Sequence, residues 1–223
     1  MKPAVVLLSG GMDSCVCMAL AVREYDAAVL HVDYGQRTEA REREACEAIA
    51  DHYGIRRRLV VRTNFFRQIG GSALTDATLA VPADGLDLSV IPITYVPFRN
   101  AHFLAAGVSW AEVQGAEVVI IGAVASDSSG YPDCRPEYYE AYNQLLRVGT
   151  KDGTIRVSTP LLYAAKADIV RRGLELDAPF NLSWSCYQNS GPACGRCDSC
   201  RLRRRAFRQA GANDPIAYAE EDL

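Results

Sequence analysis

A run of apolar residues at 4–8 breaks into Ser9-Gly10-Gly11, and helical spacing begins almost at once over 13–24, with Val16, Leu20 and Ala21 on one face. The same order returns along the chain. The apolar run at 27–32 reads as a second buried strand, and 58–61, 118–121 and 155–157 read as further strands. Stretches at 38–52, 100–114, 136–148 and 166–174 read as helices, with Thr38 as an N-cap and Pro136 as a first helical residue. Strands that are apolar throughout need cover on both faces, so this alternation dictates a parallel sheet between two layers of helix. The expected fold class is α/β, a doubly wound parallel sheet. Residues 62–97, with Gly70-Gly71, Pro82, Pro92 and Pro97, read as irregular. Ligands of such sheets bind at the carboxyl ends of the strands. Those ends carry residues 9–14, 31–37 and 122–135.

The first of them is the most informative. In Ser9-Gly10-Gly11-Met12-Asp13-Ser14, two adjacent glycines let the backbone come close to an anion. The helix that follows presents unpaired N–H groups and a partial positive charge, and Ser9 and Ser14 add hydroxyls. A glycine pair alone would serve a plain strand–helix turn as well; the whole string directly after an apolar strand is more specific. It lacks the lysine and spacing of a Walker loop and the spacing of a dinucleotide fingerprint.

Eight cysteines stand in a chain with no signal-peptide pattern at its start and no apolar run near membrane-spanning length. These features predict a cytoplasmic protein away from membranes, in which cysteines serve metals or catalysis rather than disulfides. Cys186, Cys194, Cys197 and Cys200 form C-x7-C-G-x-C-x-x-C, with Gly195 for the tight turn. Four thiolates and no fifth ligand suit a closed tetrahedral zinc site; an iron–sulfur cluster is the alternative. Zinc is preferred, in a structural role, because nothing else in the chain suggests redox work. Cys15, Cys17 and Cys46 fall within helices and read as small core residues. The formal net charge of −3 gives no basic field, so the Arg-rich stretch Arg201, Arg203, Arg204, Arg205 and Arg208 reads as a solvated face rather than a nucleic-acid surface.

The string at 9–14 resembles the PP-loop of the N-type ATP pyrophosphatases. That resemblance implies ATP as substrate, attack on its α-phosphate, and an adenylated oxygen as product. Leu8, Ser9, Gly10, Gly11, Met12, Asp13 and Ser14 would bind ATP, joined by His31 and Asp33 near the adenosine. Asp13 suits magnesium held with the ATP; it also reads as an acidic first-turn residue favoured by the helix dipole.

Nearly the whole chain is similar to the 7-cyano-7-deazaguanine synthase family. The matching pieces are Asp33-Tyr34-Gly35-Gln36-Arg37, Val96-Pro97-Phe98-Arg99-Asn100, Thr159-Pro160-Leu161, Lys166-Ala167, the cysteines, and above all Asp127 to Arg135, read as D-S-S-G-Y-P-D-C-R. Many members of the family have a small residue where Phe98 stands. The resemblance implies a PP-loop type of sheet over residues 1–178, a zinc-binding subdomain over 179–223, and a homodimer. It also implies the reaction: 7-carboxy-7-deazaguanine is adenylated, ammonia gives the amide, and a second activation gives the nitrile. Asp13, Lys166 and Arg99 are the candidate catalytic groups. Lys166 is one of only three lysines and reads either as reaching the phosphates or as a surface residue; Arg99 suits a carboxylate, a phosphate or a structural ion pair. Asp127, Tyr131, Asp133, Arg135 and Glu137 are the candidate contacts of the deazapurine. A relative that stops at the amide, or joins the activated acid to another amine, is the alternative; a tRNA thiolase or a nucleic-acid-binding zinc module fits the D-S-S-G-Y-P-D-C-R string less well.

Overall fold

The computed structural model describes residues 1–82, 90–125 and 130–219. The first apolar run is part of β1 (Lys2–Leu7), the central strand of a five-stranded sheet of order β3-β2-β1-β4-β5 with every neighbouring pair parallel. Pro3 is tolerated in this central strand because pairing with β4 starts only at Ala4; on that side its missing N–H breaks no ladder. The chain runs on through α1 (Met12–Glu24), β2 (Tyr25–Asp33), α2 (Glu39–His52) and β3 (Arg58–Arg62). It then crosses to the other side of β1 with α4 (Arg99–Gln114), β4 (Val118–Ile121), α5 (Pro136–Gly149) and β5 (Arg156–Ser158), and ends with α6 (Lys166–Glu175) and α7 (Asp198–Ala210).

Among its described residues, the region expected to be irregular contains one short helix, α3 (Phe65–Ile69). Five residues give no periodicity to read. What holds them is tertiary: Phe66 is buried edge-on against Tyr34 and Phe103. Thr38 stands at the N-cap of α2 as expected, but its hydroxyl bonds the Glu42 side chain rather than a backbone N–H.

Strand alternation divides the core. Ala4 and Val6 of β1, with Leu8 just beyond it, join Val29, Val118 and Ile120 under α1, α2, α6 and α7. Val5, Leu7, Leu30, Val119 and Ile121 face α4 and α5. Helix α1 is buried on almost every side, Cys15 and Cys17 included, because β1, β2 and α6 all pack on it. Phe180, Ala206 and Phe207 belong to the same cluster as α1, so the segment carrying the four cysteines is anchored in the main core. Arg203 of α7 is 1% exposed; it is held two-pronged by Asp214 at 2.8 and 2.9 Å and bonds the Phe180 carbonyl. No helix among the described residues is long and apolar enough to cross a membrane.

Candidate active site

The sheet reverses strand order at β1, between β2 and β4, and a cavity of about 270 Å³ opens at the carboxyl ends of these strands. Leu8, Ser9, Gly11, Met12, Asp13 and Ser14 form one wall. Gly10 sits at φ +88°, and a Cβ there would lie 2.5 Å from the Glu42 carbonyl oxygen, so the loop rests directly on the backbone of α2. Behind the loop, a Cβ at Gly122 would meet Ser14 N at 2.9 Å. The loop also braces itself: Gly11 N–H donates to Ser9 Oγ at 3.2 Å, Ser14 Oγ donates to Gly11 O at 3.0 Å, and the two hydroxyls lie 3.1 Å apart. The first-turn N–H groups of α1 have no intrahelical acceptors, the arrangement that suits an anion.

Lys166, the first residue of α6, reaches across to this loop. Its Nζ donates to Asp13 Oδ2 at 2.6 Å, with both side chains largely buried. The other oxygen, Asp13 Oδ1, is buried without a partner among the described residues. A cation next to the loop and a carboxylate oxygen with unused lone pairs fit the residues to a phosphate chain and its magnesium.

His31 and Asp33 are each 2% exposed at the end of β2. His31 lines the cavity with Nδ1 bound to the Leu8 carbonyl at 2.8 Å. Asp33 stands behind it: Oδ1 is 3.2 Å from His31 Nε2, off the line of a hydrogen bond, and Oδ2 receives Arg43 at 2.7 Å. Of the two, only His31 is part of the wall.

Opposite the loop, Arg99 begins α4 with its guanidinium over the rings of Tyr34 and Phe103, 5.6 and 5.5 Å from their centroids. Arg99 bonds the Tyr34 hydroxyl at 3.2 Å, while its buried Nε has no partner among the described residues. Tyr131 lines the cavity, hydrogen-bonded through its hydroxyl to Thr94 at 3.0 Å. Asp133 is buried and caps α4: Oδ2 accepts from Asn100 N–H at 2.9 Å, and its carbonyl accepts from Asn100 Nδ2 and the Tyr139 hydroxyl, each at 3.0 Å. Its Oδ1 is buried and unpartnered. Arg135 and Glu137 are exposed and away from the cavity wall. Asp127 lies outside the described residues.

Sequence reasoning assigned no role to several wall residues: Tyr34, Glu42, Phe103, Cys134, Trp184 and Tyr187. Glu42 accepts from the Thr38 hydroxyl at 2.8 Å and from Gln36 Nε2 at 3.0 Å. Burial pushes its carboxyl up to about 7, against the lowering effect of those bonds and of Arg99. Burial likewise pushes the Cys134 thiol to about 11 and the Tyr34 phenol to about 12. Trp184 N–H donates to the Gly10 carbonyl at 2.8 Å, and its ring lies under the Arg41 guanidinium at 4.5 Å. A usable signal for Glu42 was its i,i+4 spacing from Thr38 in the first turn after a strand-end loop.

The four cysteines converge as their spacing required. Their sulfurs all lie within 4.8 Å of one another. A tetrahedral ion with metal–sulfur bonds of about 2.3 Å needs sulfurs about 3.8 Å apart, so the set fits one ion with modest contraction. Cys186 Sγ accepts backbone N–H bonds from Gln188, Asn189 and Cys194 at 3.3–3.4 Å. Hydrogen bonds from Cys197 and Cys200, with these N–H groups, hold it well below the usual thiol range.

Residues 3–211 match the family model described as Queuosine biosynthesis protein QueC. A 7-cyano-7-deazaguanine synthase of Koribacter versatilis (strain Ellin345) is 64% identical over 220 residues, covering 97% of this chain and 93% of the relative. One of the same name from Acidobacterium capsulatum is 58% identical over 220 residues, 97% of this chain and 96% of the relative. Among solved structures, NMN synthetase from Francisella tularensis shares the fold, with a TM-score of 0.51 at 17% identity over 95% of this chain and 78% of that one. Agreement along nearly the full length, by family model and by relatives identical at more than half their aligned positions, places the chain: it belongs to the queuosine biosynthesis protein QueC family.

Proposed function

We propose that this chain converts 7-carboxy-7-deazaguanine and ammonia to 7-cyano-7-deazaguanine at the expense of ATP, through an adenylated acid and then an amide, as a step of queuosine biosynthesis. The observation that carries the reading is the cavity at the strand ends, where the 9–14 loop and the Lys166–Asp13 pair face Arg99 and a set of aromatic rings. A carboxylate is a poor electrophile, and transfer of an adenylyl group to its oxygen supplies a leaving group. Lys166 and the loop N–H groups are placed to stabilise charge growing on phosphoryl oxygens. The unpartnered Arg99 Nε and Trp184 Nε1 are donors that a polar heterocycle or its carboxylate would satisfy. Tyr34, Phe103, Tyr131 and Tyr187 supply flat apolar surface for the ring.

Asp13 would hold magnesium, which supplies charge neutralisation between phosphates. Cys186, Cys194, Cys197 and Cys200 would hold zinc in a structural role, since four thiolates leave no open position. In this reading residues 1–178 supply the loop and most of the cavity wall, and residues 179–223 hold the metal and add Trp184, Ser185 and Tyr187 to that wall. The test is incubation with ATP, magnesium, ammonia and 7-carboxy-7-deazaguanine, with product masses read over time. The expected products are the nitrile, AMP and pyrophosphate, with the amide passing through a maximum. Accumulation of the amide as sole product, or ATP consumption independent of the acid, overturns the reading.

A further inference from the structure

Both halves of the proposed reaction release protons from nitrogen. When ammonia attacks the adenylated acid, the C–N bond forms, the C–O bond to AMP breaks with its electron pair leaving on the phosphate, and the nitrogen must lose a proton. When the amide oxygen has been adenylated and pyrophosphate has left, two N–H protons go: one to a base as the nitrogen pair builds the third C–N bond, the other to the departing AMP phosphate. A base at the cavity wall is therefore required twice.

The described titratable groups of that wall are few. Asp13 is engaged by Lys166 at 2.6 Å. His31 is tied through Nδ1 to the Leu8 carbonyl, with Nε2 facing Asp33. Cys134, Tyr34 and Tyr187 are pushed up by burial and stay protonated near neutral pH, and Tyr131 is a phenol engaged through its hydroxyl with Thr94 at 3.0 Å. Lys166, Arg99 and Arg203 are cations. Glu42 remains. Its two oxygens are each oriented by one neutral donor, Thr38 Oγ1 and Gln36 Nε2, which leaves a lone pair on each. It forms no close ion pair among the described residues, although Arg99 faces it from α4 and Asp33 and Tyr34 from the end of β2.

We propose that Glu42 is the proton acceptor of this site, taking the N–H proton once in amide formation and once in nitrile formation. The proposal rests on the reaction proposed above. Its proton affinity agrees with the role: burial raises the carboxyl to about 7, where it can take up and release a proton in one turnover. The backbone carbonyl of Glu42 lies beneath Gly10, so its position is fixed relative to the phosphate loop.

The test separates adenylation, which moves no proton from nitrogen, from the later steps. Acid-dependent exchange of labelled pyrophosphate into ATP reports adenylation alone; conversion of the synthetic amide to nitrile reports the second half with no ammonia to titrate. Glu42→Gln can keep both local bonds, because its amide N–H can donate to Thr38 Oγ1 while the Thr38 hydrogen turns to the Cys186 carbonyl 3.2 Å away. The expected result is exchange close to wild type with nitrile formation lowered by about 10²-fold or more. In the wild type, nitrile formation should rise with pH and level off above about 7, and Glu42→Gln should lack that limb. Glu42→Asp keeps the carboxyl and should retain the limb at a reduced rate. Unaltered nitrile formation in Glu42→Gln, or equal loss of exchange and nitrile formation in a folded variant, overturns the proposal. If Glu42→Gln does not fold, a wild-type nitrile profile flat through pH 7 overturns it just as well. A wild type inert in exchange and toward the amide removes the reaction itself, a different failure from an active wild type with an indifferent Glu42.

Discussion

Replacing Gly10 by alanine tests whether the 9–14 loop is held by direct backbone contact with α2. Two costs are separable. The residue sits at φ +88°, where a side chain costs about 1–2 kcal/mol. The new methyl would also lie 2.5 Å from Glu42 O, 3.0 Å from Ala45 Cβ and 3.0 Å from Cys46 N, all on a helix that cannot swing aside as a long side chain could. Overpacking of this kind costs about 1–3 kcal/mol, for a total of roughly 2–5 kcal/mol. In a chain of this length that corresponds to a melting temperature lower by roughly 4–20 °C. Gly54 is the control: its φ is +64°, and nothing lies within 4 Å of a Cβ placed there, so Gly54→Ala carries the conformational cost alone. Thermal unfolding followed by circular dichroism should rank wild type above Gly54→Ala and Gly54→Ala above Gly10→Ala. ATP affinity should fall only in Gly10→Ala, because the Gly10 carbonyl also receives Trp184 N–H. A Gly10→Ala protein that melts with Gly54→Ala and binds ATP normally would refute the contact argument.

Lys166→Met should slow pyrophosphate exchange by about 10²–10³-fold, since in the proposed reaction it removes a donor beside the phosphates, and should also lower the melting temperature, because the largely buried Asp13 loses its ion-pair partner; exchange within threefold of wild type speaks against that placement. Arg203→Met strands the Asp214 carboxylate in the core and should cost about 3–5 kcal/mol in urea unfolding, with Arg203→Lys recovering only part of it. Glu42 binds a proton more tightly folded than unfolded, its carboxyl rising from 4.5 to about 7, so its contribution to stability is complete below pH 4.5 and is lost as pH rises through 7. Unfolding titrations of wild type and Glu42→Gln should therefore diverge across that window, the wild type losing more; parallel curves count against a raised carboxyl.

The sheet was legible because its central strands β1, β2 and β4 carry buried apolar runs at 4–7, 27–30 and 118–121, while the edge strands β3 and β5, read at 58–61 and 155–157, had only three and two apolar residues to show. The loop and the knot were legible because their chemistry is local: six consecutive residues in one case, four cysteines within fifteen positions in the other. The rest of the wall depends on contacts between segments far apart in the chain. Arg99 could be named, but not its seat over Tyr34 and Phe103, because those rings meet only when α4 packs beside the end of β2. Asp133 and Glu137 are four residues apart, yet one is buried under the start of α4 and the other faces solvent, a difference set by the tight turn at Pro132–Cys134. Trp184 was hidden by its neighbours: next to so many cysteines it reads as part of a metal knot, whereas its backbone bonds the loop 174 positions earlier.

That bond ties the cysteine cluster to the 9–14 loop. Over residues 183–187 the chain is fastened at successive points: Ser183 Oγ to Arg203 at 2.7 Å, Trp184 N–H to the Gly10 carbonyl at 2.8 Å, and the Cys186 carbonyl to the Thr38 hydroxyl at 3.2 Å. Ser185 and Tyr187 complete the stretch and both line the cavity. Cys186 is a member of the sulfur cluster, so whatever occupies that cluster fixes the far end of the strap that lies over the 9–14 loop. Removing the metal should therefore do more than lower stability: freeing the strap puts the Trp184–Gly10 bond at risk, and a backbone hydrogen bond contributes about 0.5–1.5 kcal/mol, or roughly a 2- to 12-fold change in ATP affinity. The protein has two tryptophans, and Trp110 on α4 lies on the other face of the sheet, so a fluorescence change on chelation that is lost in Trp184→Phe reports the strap alone. Elemental analysis should find one zinc per chain, and chelation should weaken ATP binding by calorimetry under conditions where circular dichroism still shows the native sheet. A metal-free protein that stays folded and binds ATP as tightly as the loaded one would reduce the knot to a staple of the C-terminal segment, with no bearing on the loop.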